Sequence, residues 1–184
     1  MKIKTIPTDT TEEPFATLYQ SFLSKGLNVP APLELVTAST PLFNVYQRLL
    51  GHYFNHRELS PLLMACIRYT VAHRSGFEAC IVMNRDILAL HGVTNLTPLE
   101  QETPLPNLPN LPNLPNLNEA DVRMYHFAVD ALFYPERITE VRIETMRNAN
   151  VSDALMFDAA FHGALLLMMG PLIAAFGETV PVPK

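Results

Sequence analysis

Residues 59–93, LSPLLMACIRYTVAHRSGFEACIVMNRDILALHGV, constrain the fold more than any other part of the chain. Two helical patterns meet here at Ser75-Gly76. The first opens with Ser60 as an N-cap and Pro61 at the first helical position, where a missing N–H costs nothing. Leu62, Leu63, Cys66, Ile67, Thr70 and Val71 then recur at helical spacing. The second pattern runs from about Phe77 to Leu90 and stops at Gly92, a residue suited to a left-handed C-cap. Cys80 lies in its first turns.

The flanks read as helices too. Glu12 to Lys25 carries Phe15, Leu18, Tyr19, Phe22 and Leu23 at a spacing of three or four, and Gly26 ends it. Glu34–Ala38 reads as a turn of helix, and Pro41 to about Phe54 as a longer one with Leu42, Val45, Tyr46, Leu49 and Leu50. Downstream, Asn118 caps a helix through Phe133, with Asp121 in a capping-box-like position. Its apolar face is Val122, Tyr125, His126, Val129, Leu132 and Phe133. Pro135 interrupts, Ile138–Asn148 reads as a short helix, and Ser152 caps a last one from Asp153 to about Met169. Gly170-Pro171 is expected to break or kink that helix before a final piece ending at Phe176.

Between the halves, residues 94–118 read TNLTPLEQETPLPNLPNLPNLPNLN. Proline at 106, 109, 112 and 115 excludes ordinary helix and central strand. A triplet repeat in polyproline II sets the leucines on one side. The stretch reads as a semi-rigid connector, with a docking handle or a leucine stripe packed on the parent domain as alternatives. The chain then divides into an N-terminal extension with one helix (1–40), core helices with the candidate site (41–93), the linker (94–118) and C-terminal helices of the same domain (119–177).

At 184 residues the chain is long enough for one domain with its own core. Charged residues make up 17%, below the usual ~25%, which points to surface covered between subunits. A net charge of −5 with scattered Lys and Arg argues against nucleic acid as a partner. Two cysteines make no disulfide framework, and the polar N-terminus lacks a secretory apolar region, so a reducing cytoplasm is expected. Ala159 to Gly177 is nineteen residues without a formal charge, the lower range of a membrane span. It contains His162 and the Gly170-Pro171 step and lacks basic flanks, so a core or subunit-interface helix is expected, and no membrane.

The 59–93 stretch resembles the carboxymuconolactone decarboxylase and alkylhydroperoxidase-D-like family. That family joins a leucine-rich helix near a Pro to a helix carrying CxxCxxxH and ending near a Gly. A Glu about twelve residues before the first Cys completes a proton relay in its thiol peroxidases. Laid on this chain, the second Cys falls on Cys80, the first on Phe77, the His on Asn84 and the Glu on Ala65. The order of helices over 119–169 is similar to the family as well. The resemblance implies an all-α, multi-helix bundle that assembles as a homo-oligomer, whether dimer, trimer or hexamer. No cofactor and no metal are expected. The family's two reaction classes are thiol-dependent peroxide reduction and decarboxylation of a muconolactone.

Cys80 is the candidate catalytic residue, as a thiolate favoured by a helix N-terminus, or else a core residue. With Phe77 in place of the first Cys, a peroxidase here would need an outside thiol reductant. Cys66 is a surrogate redox partner or a packing residue, and His73 is the nearest base or a solvent-facing His. Phe77, Asn84 and Ala65 are expected to line the pocket. Glu78 points about 160° from Cys80 on the helix and is a weaker acid or base. His52 and His56 stand at i, i+4 without a carboxylate motif. His126 and His162 lie on apolar helices, where burial without a partner would be expensive. These residues fit a divergent family member with an inherited antioxidant role and weak or lost peroxidase activity. A small-acid or lactone enzyme using a His, and a non-catalytic oligomeric interaction protein, are the alternatives.

Overall fold

The computed structural model of the chain describes residues 1–101 and 116–177. The reading of the Pro-Asn-Leu repeat therefore lies almost wholly outside the described residues. All regular structure among the described residues is helical, with nine α-helices and one 3-10 turn. The contacts divide the chain into two units, Met1–Asn55 with the segment from Met168 onward, and His56–Leu167. The first division falls at the end of the third helix.

The first unit holds α1 (Phe15–Leu23), α2 (Ala31–Val36) and α3 (Thr40–Phe54). Its core is Phe15, Tyr19, Leu33 and Phe43, with Ile6, Leu18 and Tyr46 packed around them. Phe15 and Phe43 meet with ring centroids 4.5 Å apart. α1 starts later than the periodicity predicts because Pro14 occupies its N-cap. Gly26 adopts φ 72°, the left-handed turn expected after it.

The second unit is built on α4 (Pro61–Ser75), which packs against α5 (Glu78–Leu90), α6 (Thr97–Glu100) and α7 (Glu119–Phe133). Ser60 caps α4 as expected, its Oγ accepting the Leu63 N–H at 3.1 Å. Gly76 ends α4 at φ 67°, the conformation that lets α5 fold back. Leu63, Met64, Ala65, Cys66, Ile67, Tyr69, Thr70, Val71 and Ala72 are all buried. α4 is therefore enclosed on every side, and half-buried Arg68 is the exception in that run.

α6 corrects the reading of 94–118 as linker from its first residue. Leu99 is fully buried, its carbonyl accepts from Thr70 Oγ1 at 3.1 Å, and Glu100 accepts from the Tyr69 hydroxyl at 2.7 Å. Asn118 caps α7 through the Asp121 N–H at 2.9 Å. The Asp121 carboxylate accepts from Ser60 Oγ at 3.1 Å, tying the starts of α4 and α7 together.

Beyond α7 come a 3-10 turn (Pro135–Arg137), α8 (Glu140–Asn148) and α9 (Asp153–Phe176). Thr139 caps α8 through the Arg142 N–H, so the helix starts two residues later than the predicted Ile138. Val141, expected on its apolar face, is 77% exposed. Buried Asp130 on α7 is gripped by Arg137 Nη1 at 3.2 Å and Arg142 Nη1 at 2.6 Å, which fastens the turn and α8 to α7. One turn earlier, His126 is buried, and its Nε2 has no hydrogen-bond partner.

Ser152 caps α9 through the Leu155 N–H at 3.1 Å. The expected break at Gly170-Pro171 does not occur, because α9 continues through Pro171 to Phe176. Proline removes one donor from the ladder, and the helix accommodates that loss. Among the described residues α9 is the one helix long and apolar enough to cross a membrane. Met156, Ala159, His162, Gly163 and Leu166 on it are buried, so one side of its first four turns belongs to the core.

Candidate functional site

The residues singled out by the 59–93 pattern occupy the facing helices α4 and α5, but most are sealed in. Cys66 is 1% exposed and Cys80 is 2% exposed, and both are free thiols. Burial pushes the Cys66 thiol up to about 12, with Asp121 adding to the rise and Arg68 opposing it. Burial also raises Cys80, against a smaller opposing effect from Arg68. Cys80 is the third residue of α5, where the helix start was expected to favour thiolate. Desolvation wins over that effect.

Around them, Ala65 is fully buried and Phe77 is the half-buried N-cap of α5. His73 is exposed on the last turn of α4 and stacks on Tyr69, with centroids 6.1 Å apart. It is thus placed on an outer surface, while Cys80 faces the interior. Glu78 is likewise exposed.

The polar centre lies at a residue the local pattern did not single out. Arg68 Nε donates to Asn84 Oδ1 at 2.9 Å, and Arg68 Nη1 lies 2.8 Å from His162 Nε2. Asn84 is fully buried, and its amide nitrogen donates to the Cys80 carbonyl one turn back at 2.8 Å. The Asn84 amide is therefore oriented from both ends. A guanidinium can only donate, so His162 Nε2 must be the acceptor and its proton must sit on Nδ1. The charge argument agrees. Burial holds His162 well below the usual histidine range, and the charge of Arg68 acts in the same direction. The network thus joins α4, α5 and α9, with a permanent cation beside a neutral imidazole. His162 was expected to need a partner if buried, and Arg68 supplies one. The only sequence signal for Arg68 was a lone charge inside the apolar run from Leu62 to Ala72.

Two further arrangements border this centre. His56 Nδ1 accepts the backbone N–H groups of Glu58 and Leu59 at 3.2 and 3.0 Å. Its proton is then on Nε2, which donates to Asp158 Oδ2 at 3.3 Å. On the other side of α4, the Tyr125 hydroxyl lies 2.6 Å from Thr70 Oγ1. Thr70 gives its own proton to the Leu99 carbonyl, so Tyr125 donates to Thr70. Burial pushes the Tyr125 phenol up to about 12, which keeps it a donor.

The fold and this site define an all-helical protein in which half-buried Arg68 links buried Asn84 and His162 beside two buried thiols. The structure is similar to that of an uncharacterized peroxidase-related protein from Silicibacter sp. TM1040, with a TM-score of 0.69 and 19% sequence identity, over 94% of this chain and 88% of that one. The two share a fold. No family model and no curated protein matches the chain.

Proposed function

We propose that this chain is a divergent member of the carboxymuconolactone decarboxylase and alkylhydroperoxidase-D-like group, with thiol peroxidase activity that is weak or absent. It works as a homo-oligomer in a reducing compartment, where both cysteines stay thiols. The observation that carries this reading is the state of Cys80. The residue is 2% exposed and its thiol is raised by burial. A peroxidatic sulfur needs solvent access and thiolate character, and Cys80 is short of both. The position where the family has its other Cys is Phe77, so no thiol stands there to resolve an oxidised Cys80.

Alkylation of the native protein across pH, with mass detection of the labelled residue, tests it. Both cysteines are expected to label only after denaturation, and wild type and Cys80→Ser to consume peroxide at the same low rate. Fast native labelling of Cys80, with an apparent pKa below the free-thiol value of ~8.5 and peroxide turnover lost in Cys80→Ser, overturns it.

A further inference from the structure

α8 is held to the fold by charge more than by an apolar face. Met146 is its one buried side chain, and Val141 is exposed. Its grip on α7 runs through Asp130, a carboxylate that is 1% exposed. Arg137 Nη1 donates to Asp130 Oδ1 at 3.2 Å, and Arg142 Nη1 lies 2.6 Å from Oδ2. Arg142 Nη1 is not aligned as a hydrogen bond, so its hold on the carboxylate is that of a charge. A buried carboxylate paired in this way is a firm fastening only while the charges around it stay in balance.

His126 stands one turn before Asp130 on the same face of α7. The charges acting on its ring are Asp130 on α7, Arg142 from α8 and Arg74 from the last turn of α4. Its Nε2 is buried and has no hydrogen-bond partner among the described residues. A protonated ring donates from both nitrogens, and here one of those donors would be left unmet. The added charge would also lie near Arg142 and Arg74 and compete for the carboxylate that holds α8. A docked α8 and a protonated His126 therefore oppose each other.

We propose that His126 and the Asp130, Arg137 and Arg142 cluster form an acid-operated latch, which releases α8 from α7 as the ring takes up a proton. Neutral His126 leaves Asp130 to the two arginines, and α8 is docked. Release carries Arg142 away from the ring and lets water accept from Nε2. The released state thus binds the proton more tightly, so release is rarest above pH 6.5 and grows as pH falls. The docked ring is pushed down to about 4, and a ring in water titrates near 6.5. The released fraction should then rise roughly twentyfold between pH 7.5 and pH 5. The opening is local, with α4 and α7 still packed, and it is independent of whether Cys80 is reactive.

Amide hydrogen exchange of the full-length protein, read by mass spectrometry as protection factors at pH 7.5 and pH 5, tests it. Peptides from α8 are expected to exchange through an opening of their own, less protected than peptides from α4 at both pH values. On acidification they should lose protection roughly twentyfold. His126→Gln, neutral at both pH values, should keep the separate opening and lose its pH dependence. Asp130→Asn should lower α8 protection already at pH 7.5. One shared protection factor for α8 and α4, α8 protection equal at the two pH values, or an acid loss that persists in His126→Gln overturns the proposal. Unchanged α8 protection in Asp130→Asn overturns it as well. Should His126→Gln lose its helical signal, His126→Leu takes its place, and the same acid loss there overturns the latch.

Discussion

His126 carries a folded-state penalty for protonation that can be measured. Its ring is buried in α7, and burial pushes it down to about 4, with the charges of Arg142 and Arg74 acting the same way and Asp130 opposing them. In the unfolded chain the same group titrates near 6.5. Between those two values the unfolded state takes up a proton that the folded state refuses. Stability is therefore highest above pH 6.5 and falls as pH drops toward 4, by roughly 3 kcal/mol over the window. Urea midpoints at pH 7.5 and pH 4.5 should differ accordingly, and His126→Leu should remove much of the difference. A His126→Leu variant with the wild-type slope would assign the acid sensitivity elsewhere, with His162 the next group, since its shift has the same sign. At this scale the sequence was legible where a residue's own neighbours define it. Ser60, Asn118 and Ser152 were read as caps and do cap. Arg68 was not legible, because its partners lie 16 and 94 residues away and only the folded core brings them together.

Among the elements, α9 shows how close packing sets the position of the site. Gly163 follows His162 on the side that meets α4 and α7. A methyl group there would lie 2.5 Å from Leu132 Cδ1, 3.1 Å from Ile67 Cγ2 and 3.3 Å from Val71 Cγ2. Two effects oppose each other in Gly163→Ala. Alanine gains about 1 kcal/mol of helix propensity over glycine. Overpacking costs about 1–3 kcal/mol, and two of the three neighbours are buried β-branched side chains that cannot swing aside easily. The net expectation is a lower urea midpoint with an unchanged slope. A raised midpoint would mean that Leu132 rotates away and that α9 is not held at its closest approach. Helix periodicity predicted α9 and its start, and of the two outcomes expected at Pro171, a break or a kink, the break does not occur. A missing donor lowers local helix stability without determining whether the following turns stay helical. The same limit hid α6, whose four residues are too few for a periodic signal and are fixed by Tyr69 and Thr70 on α4.

For the whole molecule, periodicity names the helices without saying which of them share a core. The shared core of α1, α2 and α3 through Phe15, Tyr19, Leu33 and Phe43 is an example. What the sequence did signal at this scale was a surface poor in charge, and that bears on assembly. Phe157 is 66% exposed and Phe161 38% exposed, their rings stacked with centroids 5.6 Å apart on the side of α9 away from Ala159 and His162. Two adjacent aromatic rings left in water are a cost that a second copy would remove, since such patches mark protein contacts on soluble chains. The homo-oligomer proposed above should therefore depend on them. Sedimentation of the wild-type chain at micromolar concentration is expected to show a multiple of 20.6 kDa. The double variant Phe157→Glu/Phe161→Glu should shift the population to monomer while keeping its helical signal, because neither ring contributes to the buried core. A wild-type monomer would refute the oligomer outright. An oligomer that survives the double variant would place its interface elsewhere, and exposed Leu42, Val45 and Phe54 on α3 would be the next face to charge.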